Sequence, residues 1–379
     1  MVVYLFMFIS CSLCAGLVQH FYKNKKRILS TFFAILAVFI PSIIAGIRNI
    51  NVGTDIKVYG IYMFNIARSH SIIGYFGIVG TGDILYSFLN ILTSLLSDNI
   101  HVLLFIIQFI NCSIVFIAIF KERENIHMSL SYFIFLSTLY FRQLNLLRQG
   151  LALSFVLLAF VLFKNKKIKS TIFCMIIASL FHATAILAIP LFVIYKYVKD
   201  DNKNDNYSES YKYFLVAIYI SLILVFVFFK PLFNIILNSG ILPSKYTLEY
   251  FERYFNSVIE LDNLGTFFKL AWCVIYLLAI KYIKKANEIK DYRFFLHIAS
   301  IDFILWNFNI YVKYIDRISF YYGYIYALFF VPNLYKLFKN DFLNRNIANL
   351  IVIVMFFAYW YLRFVFQNAG NVYPYIIGI

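Results

Sequence analysis

Charge is what this sequence has least of. Only 14% of its 379 residues are Asp, Glu, Lys or Arg, against roughly 25% in a soluble globular domain. Hydrophobic residues make up 62%, and the mean hydropathy is +0.78. So wide a gap excludes a soluble domain with a large core, and the solvent for most of the surface is expected to be lipid. Acids are scarcer still. Asp302 is the one carboxylate well inside an apolar run, so no row of intramembrane acids suggests ion-coupled transport. The five cysteines, Cys11, Cys14, Cys112, Cys174 and Cys273, all lie in apolar segments. Cys11 and Cys14 form a CxxC with no His or second Cys pair nearby, and read as small apolar filler. No GxxxxGK[ST] or GxSxG occurs, and no two histidines stand at metal spacing. We therefore expect no metal and no cofactor.

What is there points to a membrane. Phe (44) and Tyr (31) suit lipid packing and interfacial belts. The formal charge of +16 does not signal nucleic acid, because the basic residues sit in short clusters between apolar runs, such as 23–27, 164–169 and 281–290. Each spanning helix needs roughly 20 apolar residues. Spans are read near 2–22, 28–47, 101–120, 128–141, 146–163, 212–229, 264–280, 294–311, 318–334 and 347–362. Residues 170–197 suit two short helices broken at Phe181-His182-Ala183, and 61–97 an outer-face segment, partly embedded. The expected fold is an all-α polytopic bundle of about 10–13 membrane helices, a single domain over 1–379. Its larger outer loops fall at 48–100 and 230–263, and an inner loop at 198–211. No basic stretch precedes the first apolar run, so no cleavable signal peptide is expected.

Charge orients this threading. The loops assigned inside hold 22 Lys and Arg, the outer segments 12, which predicts both termini outside. Of the 12, seven are Arg: Arg48, Arg68, Arg142, Arg148, Arg253, Arg317 and Arg363. Topology needs no arginine on the translocated side. A planar, permanently charged fork there suits phosphate, although snorkelling at helix ends accounts for some of the set.

Four constellations carry candidate chemistry. The first is Arg48-Asn49-Ile50-Asn51-Val52-Gly53-Thr54-Asp55 with Tyr59, either a capped helix start or a loop whose Asp55 accepts a proton from a sugar hydroxyl. The second is Arg142-Gln143-Leu144-Asn145-Leu146-Leu147-Arg148-Gln149-Gly150. If helical, it places Asn145, Arg148 and Gln149 on one face with Arg142, and such polar groups beside lipid need each other or a ligand. The third is His182, a structural hydrogen-bonder or an acid/base group. The fourth is Lys313-Tyr314-Ile315-Asp316-Arg317, a helix cap or a further phosphate contact.

Five motifs in order carry a resemblance over nearly the whole chain. They are Arg48…Val52-Gly53-Thr54-Asp55…Tyr59, Asp83-Ile84-Leu85-Tyr86, Arg148-Gln149-Gly150-Leu151-Ala152, Phe181-His182-Ala183-Thr184-Ala185 and Pro374-Tyr375. Together they resemble the EpsG-like, Wzy-type polysaccharide polymerases of exopolysaccharide, capsule or O-antigen clusters. Asp83-Ile84 departs from the Glu-Pro of many members. The resemblance implies a multi-pass protein of the bacterial inner membrane that joins undecaprenyl-diphosphate-linked repeat units at the periplasmic face. A sugar hydroxyl would attack the lipid-linked anomeric carbon. Asp55 or His182 would act as base, and Arg48, Arg142, Gln143, Arg148, Gln149, Arg317 and Tyr59 would hold diphosphate and glycan. The partners implied are the lipid-linked glycan, the bilayer and a separate chain-length regulator. A lipid-linked glycan ligase, a side-branch glycosyltransferase and a flippase for the repeat unit are the alternatives.

Overall fold

The computed structural model describes residues 1–201, 291–308, 316–338 and 342–378. The spans expected at 212–229 and 264–280, the outer loop 230–263 and most of the inner loop 198–211 lie outside them. No strand occurs among the described residues. The helices are α1 (Val2–Lys23), α2 (Arg27–Gly46), α3 (Tyr62–Ser69), α4 (Ile72–Val79), α5 (Ile84–Leu96), α6 (Ile100–Lys121), α7 (Met128–Ser137), α8 (Leu139–Asn145), α9 (Leu147–Lys164), α10 (Ile168–Phe181), α11 (Ile189–Asp201), α12 (Tyr292–Asn307), α13 (Asp316–Phe329) and α14 (Phe342–Trp360). Five described helical stretches are long and apolar enough to cross a membrane: Val2–Lys23, Arg27–Gly46, Ile100–Lys121, Leu147–Lys164 and Leu343–Phe366. The protein is an all-α polytopic membrane protein.

The chain forms two compact units, one of Met1–Ile189, Tyr282–Lys290 and Tyr324–Ile379, the other of Pro190–Lys281 and Asp291–Gly323. In the first, α1 packs against α2 and α7, α2 against α6, and α9 against α6 and α10. Helix α9 is buried almost all round, with Leu151, Ala152, Val156, Ala159, Phe160 and Val161 in its core. Outer helices instead leave apolar side chains exposed, among them Phe6, Ile28, Phe32, Ile172, Phe173 and Leu350. In water that pattern would be costly, and against lipid it is the expected one.

Helix α2 contains Pro41, which cannot donate to the carbonyl four residues back. That carbonyl, of Ala37, takes the Tyr132 hydroxyl instead at 2.8 Å, and the Pro41 carbonyl takes Tyr140 at 2.9 Å. The two tyrosines thereby tie α7 and α8 to α2. The span expected at 128–141 is not one helix. It breaks at Thr138 (φ −129°, ψ −84°), whose hydroxyl donates to the Ile134 carbonyl at 2.5 Å. The run expected at 318–334 likewise stops at Phe329 and continues as a 3-10 segment, Val331–Phe338. The break expected at His182 is present: α10 ends at Phe181, His182 is extended, and a 3-10 turn (Ala183–Ala188) follows.

The first unit has two chemically different ends. At one, Gln19 donates to the carbonyls of Arg123 and Ile126 and accepts from the Met128 amide at 3.1 Å, fixing the basic turns 23–27 and 121–127 beside each other. At the other, the Tyr4 hydroxyl donates to the Val372 carbonyl (2.8 Å) and Tyr375 to that of Ile44 (2.9 Å). The N-terminal start of α1 and the C-terminal tail therefore share one end, opposite the basic turns. In the second unit, Tyr195 donates to Asp291 at 3.2 Å. Buried Asp302 lies against Gly323, where an added Cβ would come within 2.7 Å of its carboxylate.

Candidate functional site

The site is built at the tail end of the first unit, where four separate stretches meet. Gly53 (φ +109°) allows the chain leaving α2 to turn sharply, a conformation open chiefly to glycine. Thr54 then donates its hydroxyl, and Asp55 its amide, to the Asn145 side-chain oxygen at 2.8 and 2.9 Å. This docks the 48–55 loop on the end of α8. The π-helical turn Ile56–Ile61 that follows carries Tyr59, whose carbonyl accepts the Tyr86 hydroxyl of α5 at 3.0 Å. Helix α5 packs on α3 and α10, which brings its first turn to the break at His182.

Asp83 is the centre of the arrangement. It stands at the N-cap of α5, yet its carboxylate makes no cap bond. One oxygen accepts from Arg148 and the other lies 3.2 Å from His182 Nδ1. The Arg148 guanidinium lies over the Tyr59 ring, 3.7 Å from its centroid, in cation–π geometry. The three side chains are 12% (Asp83), 22% (Arg148) and 26% (His182) exposed, so the cluster is sheltered but open on one side. With Nδ1–H donated to Asp83, His182 keeps Nε2 as a bare acceptor, the tautomer of a general base. Among the described residues the other N–H groups of Arg148 have no hydrogen-bond partner, and so are available to an anion. Asp55, its amide held on Asn145, stands at the N-cap of the π-helical turn that carries Tyr59.

Tyr59, Arg148 and His182 are thus brought together, with Asp55 one turn before Tyr59. The other expected site residues of the first unit lie elsewhere. Arg48 is 2% exposed under the C-terminal tail. Its Nη2 donates to the Leu144 carbonyl at 2.8 Å, while Nε and Nη1 have no hydrogen-bond partner among the described residues. Burial pulls Arg48 down to about 10, so it stays charged at neutral pH. Tail residues clamp the loop around it: Asn49 donates to Ile376 (2.7 Å), Gly378 to Ile47 (2.9 Å) and Gly53 to Asn371 (2.8 Å). Arg142 lies against Tyr359 and the Phe364 ring. Gln143 is fully buried, donating to Ser154 at 2.8 Å and to the Gly150 carbonyl at 3.3 Å. Gln149 is buried on α9. Arg317 is half-buried on the first turn of α13, in the second unit.

The single helical face expected over 142–149 does not form. Leu146 (φ −82°, ψ 69°) separates α8 from α9, so Gln143 turns inward and Arg148 toward Asp83. Asp83 and Asn145 are the positions of this candidate site to which sequence reasoning gave no role of their own. Asp83 is 65 residues from Arg148 and 99 from His182. Its one local sequence signal is an acid closing a glycine-rich loop at a helix start.

Among the described residues, no group of three or more His, Cys, Asp or Glu is placed to hold a metal ion. The EpsG family profile matches residues 31–377, a stretch that contains every residue of the cluster. The chain belongs to the EpsG family. This is the Wzy-like polysaccharide polymerase family, so the protein is a membrane protein of the polysaccharide polymerase type. No curated protein and no solved structure matches the chain. The structure thus gives this EpsG-family chain an imidazole and a guanidinium joined through one carboxylate, a set able to move a proton and stabilise an anion.

Proposed function

We propose that this protein joins undecaprenyl-diphosphate-linked oligosaccharide repeat units at the outer face of the bacterial inner membrane. The acceptor sugar hydroxyl attacks the anomeric carbon of the donor. A new glycosidic C–O bond forms as the bond to the diphosphate breaks, and the hydroxyl proton passes to His182 Nε2. Undecaprenyl diphosphate leaves with its electron pair. It is a weakly basic leaving group, so no general acid is required; positive charge is required where the negative charge develops. Arg148 meets that need, with Tyr59 fixing its plane and Asp83 aligning it with His182.

The observation that carries this reading is the contact of Asp83 with both Arg148 and His182. One carboxylate sets the tautomer of the base and the direction of the cation, which preorganises both for a single transition state. The placement of the cluster opposite the basic turns supports the outer face, since those turns belong in the cytoplasm. Asp55 is the second acid at the mouth of the site. Arg48, Arg142 and Arg317 are assigned to the wider grip on diphosphate and glycan, and Gln143 and Gln149 to support from beneath.

The test is a chromosomal deletion in the native host, complemented with variants, with surface glycan and lipid-linked glycan both resolved by size. Deletion is expected to abolish the ladder while single repeat units still reach the surface. His182→Ala should reproduce that pattern, and Asp83→Asn should lower polymer by about a hundredfold or more through the misplaced base, the scale of general-base catalysis. Loss of every surface unit would point instead to a flippase or ligase. A full ladder in His182→Ala would remove histidine as the base.

A further inference from the structure

The segment that presents Tyr59 to Arg148 has a second side. Ile61, Phe64 and Asn65, from the end of the π-helical turn and from α3, line a separate cleft of about 550 Å3 with Asn49, Asn99 and His101. That volume falls within the range of about 300–1,000 Å3 typical of small-molecule sites. The cleft lies at the tail end of the unit, against Gly378 and the start of α6, and shares no lining residue with the Asp83 cluster.

Its polar groups are three carboxamides, an imidazole and one carboxylate. Asn65, Asp98 and Asn99 are exposed along its rim, and the Asn65 carboxamide has no hydrogen-bond partner among the described residues. The side-chain oxygens of Asn49 and Asn99 accept from backbone amides of Asn51 and His101, which leaves their NH2 groups as donors. His101 Nδ1 lies 2.7 Å from the Gly46 carbonyl and donates to it, leaving Nε2 as an acceptor. The charge of Asp98, also in the lining, is met by Arg68 at 2.9 Å. No lysine or arginine lines the cleft. Donors and acceptors without net charge match vicinal hydroxyls, each of which both donates and accepts. Ile61 and Ile100 offer apolar surface to the C–H face of a ring.

We propose that this cleft is a second saccharide subsite, which holds neutral sugar residues of the polymer while the reacting bond sits at Arg148 and His182. The proposal rests on the polymerase reading above. A polymer held at a second point keeps its end at high effective concentration near the reaction site, which favours further rounds over release.

The experiment compares Asn65→Trp, which fills the cleft, with Asn65→Ala, which removes only the carboxamide and keeps a helix-favouring residue. Both complement the deletion strain, with membrane levels read by immunoblot and glycan length read on a gel. The modal chain length should fall by about twofold or more in Asn65→Trp, and less in Asn65→Ala, with the two-unit product still formed. Should Asn65→Trp fail to accumulate, the shift in Asn65→Ala decides. An unchanged ladder at normal protein level overturns the subsite. So does loss of all coupling products at normal level, because Asn65 would then belong to the reaction site. Failure of the polymerase reading has another signature, an intact ladder in the deletion strain itself, and it takes the subsite with it.

Discussion

Among its described residues the first unit holds a buried carboxylate–cation pair at one end and a half-buried one at the other, and their surroundings differ. At the basic end, Glu122 accepts from Lys164 at 3.0 Å and from Asn125 at 3.1 Å, and the two charged side chains are 2% and 4% exposed. Around it, Arg27 and Arg123 cover the Tyr22 ring at 3.5 and 4.1 Å, and Lys336 donates to the Asn125 carbonyl at 2.7 Å. That pair is closed on all sides. At the tail end, Asp83 and Arg148 are several times more exposed, and the carboxylate is shared with an imidazole that retains a bare nitrogen. A closed pair ties helices together. An open pair with unspent hydrogen-bonding capacity is what a substrate needs to find.

The comparison can be broken most sharply at Arg148. Arg148→Ala removes the cation from the open pair and should cut polymer by about a hundredfold or more, the usual cost of losing a preorganised donor to a developing anion. Protein level in the membrane should stay within about twofold, because Asp83 is partly exposed and keeps His182 as a partner. Disappearance of the protein in place of its product would make the open pair a structural staple as well.

The closed pair predicts the reverse. Lys164→Met leaves Glu122 buried without its cation, which costs about 3–5 kcal/mol. A thermal-shift measurement in detergent should show the loss, and the membrane level should drop, while the remaining molecules polymerise normally. The double variant Glu122→Leu/Lys164→Met should recover most of that stability, since an apolar pair of similar volume replaces the ion pair. Failure of the double variant to recover would mean that Glu122 also serves Asn125 in a way an apolar side chain cannot replace.

The contrast also marks how far the sequence was legible. Long apolar runs state their own structure. The spans read at 2–22, 28–47, 101–120 and 146–163 match α1, α2, α6 and α9 to within a residue or so at most ends. The break at His182 was legible from the length of its apolar run, which suits neither one upright span nor two full ones. The break at Thr138 was not, because Phe133-Ile134-Phe135-Leu136-Ser137-Thr138-Leu139-Tyr140 has no helix breaker, and the interruption comes with hydroxyl bonds to the backbone. Arg148, Tyr59 and His182 were legible as polar groups beside apolar runs. Their common partner was not, because periodicity reports neighbours a few residues apart, whereas Asp83 meets its partners through the packing of α5 on α10.

Gln143 sharpens the same lesson with the smallest expected effect. Sequence reasoning counted it with Arg148 among the groups that hold diphosphate and glycan, but its amide is spent on Ser154 and Gly150, and its oxygen accepts from Gln108 at 3.4 Å. Ser154 in turn donates to Asn111 at 2.9 Å, so the group joins α6, α8 and α9 within the bundle. The approach is close enough that a Cβ on Gly150 would lie 2.9 Å from Gln143 Cγ. Gln143→Met keeps the volume but leaves buried partners unmatched, at about 1–3 kcal/mol. The expected result is a small fall in thermal stability with polymer length and yield unchanged. Lost polymer at full stability would return Gln143 to the substrate side, and the boundary drawn here between seam and site would move inward by one helix turn.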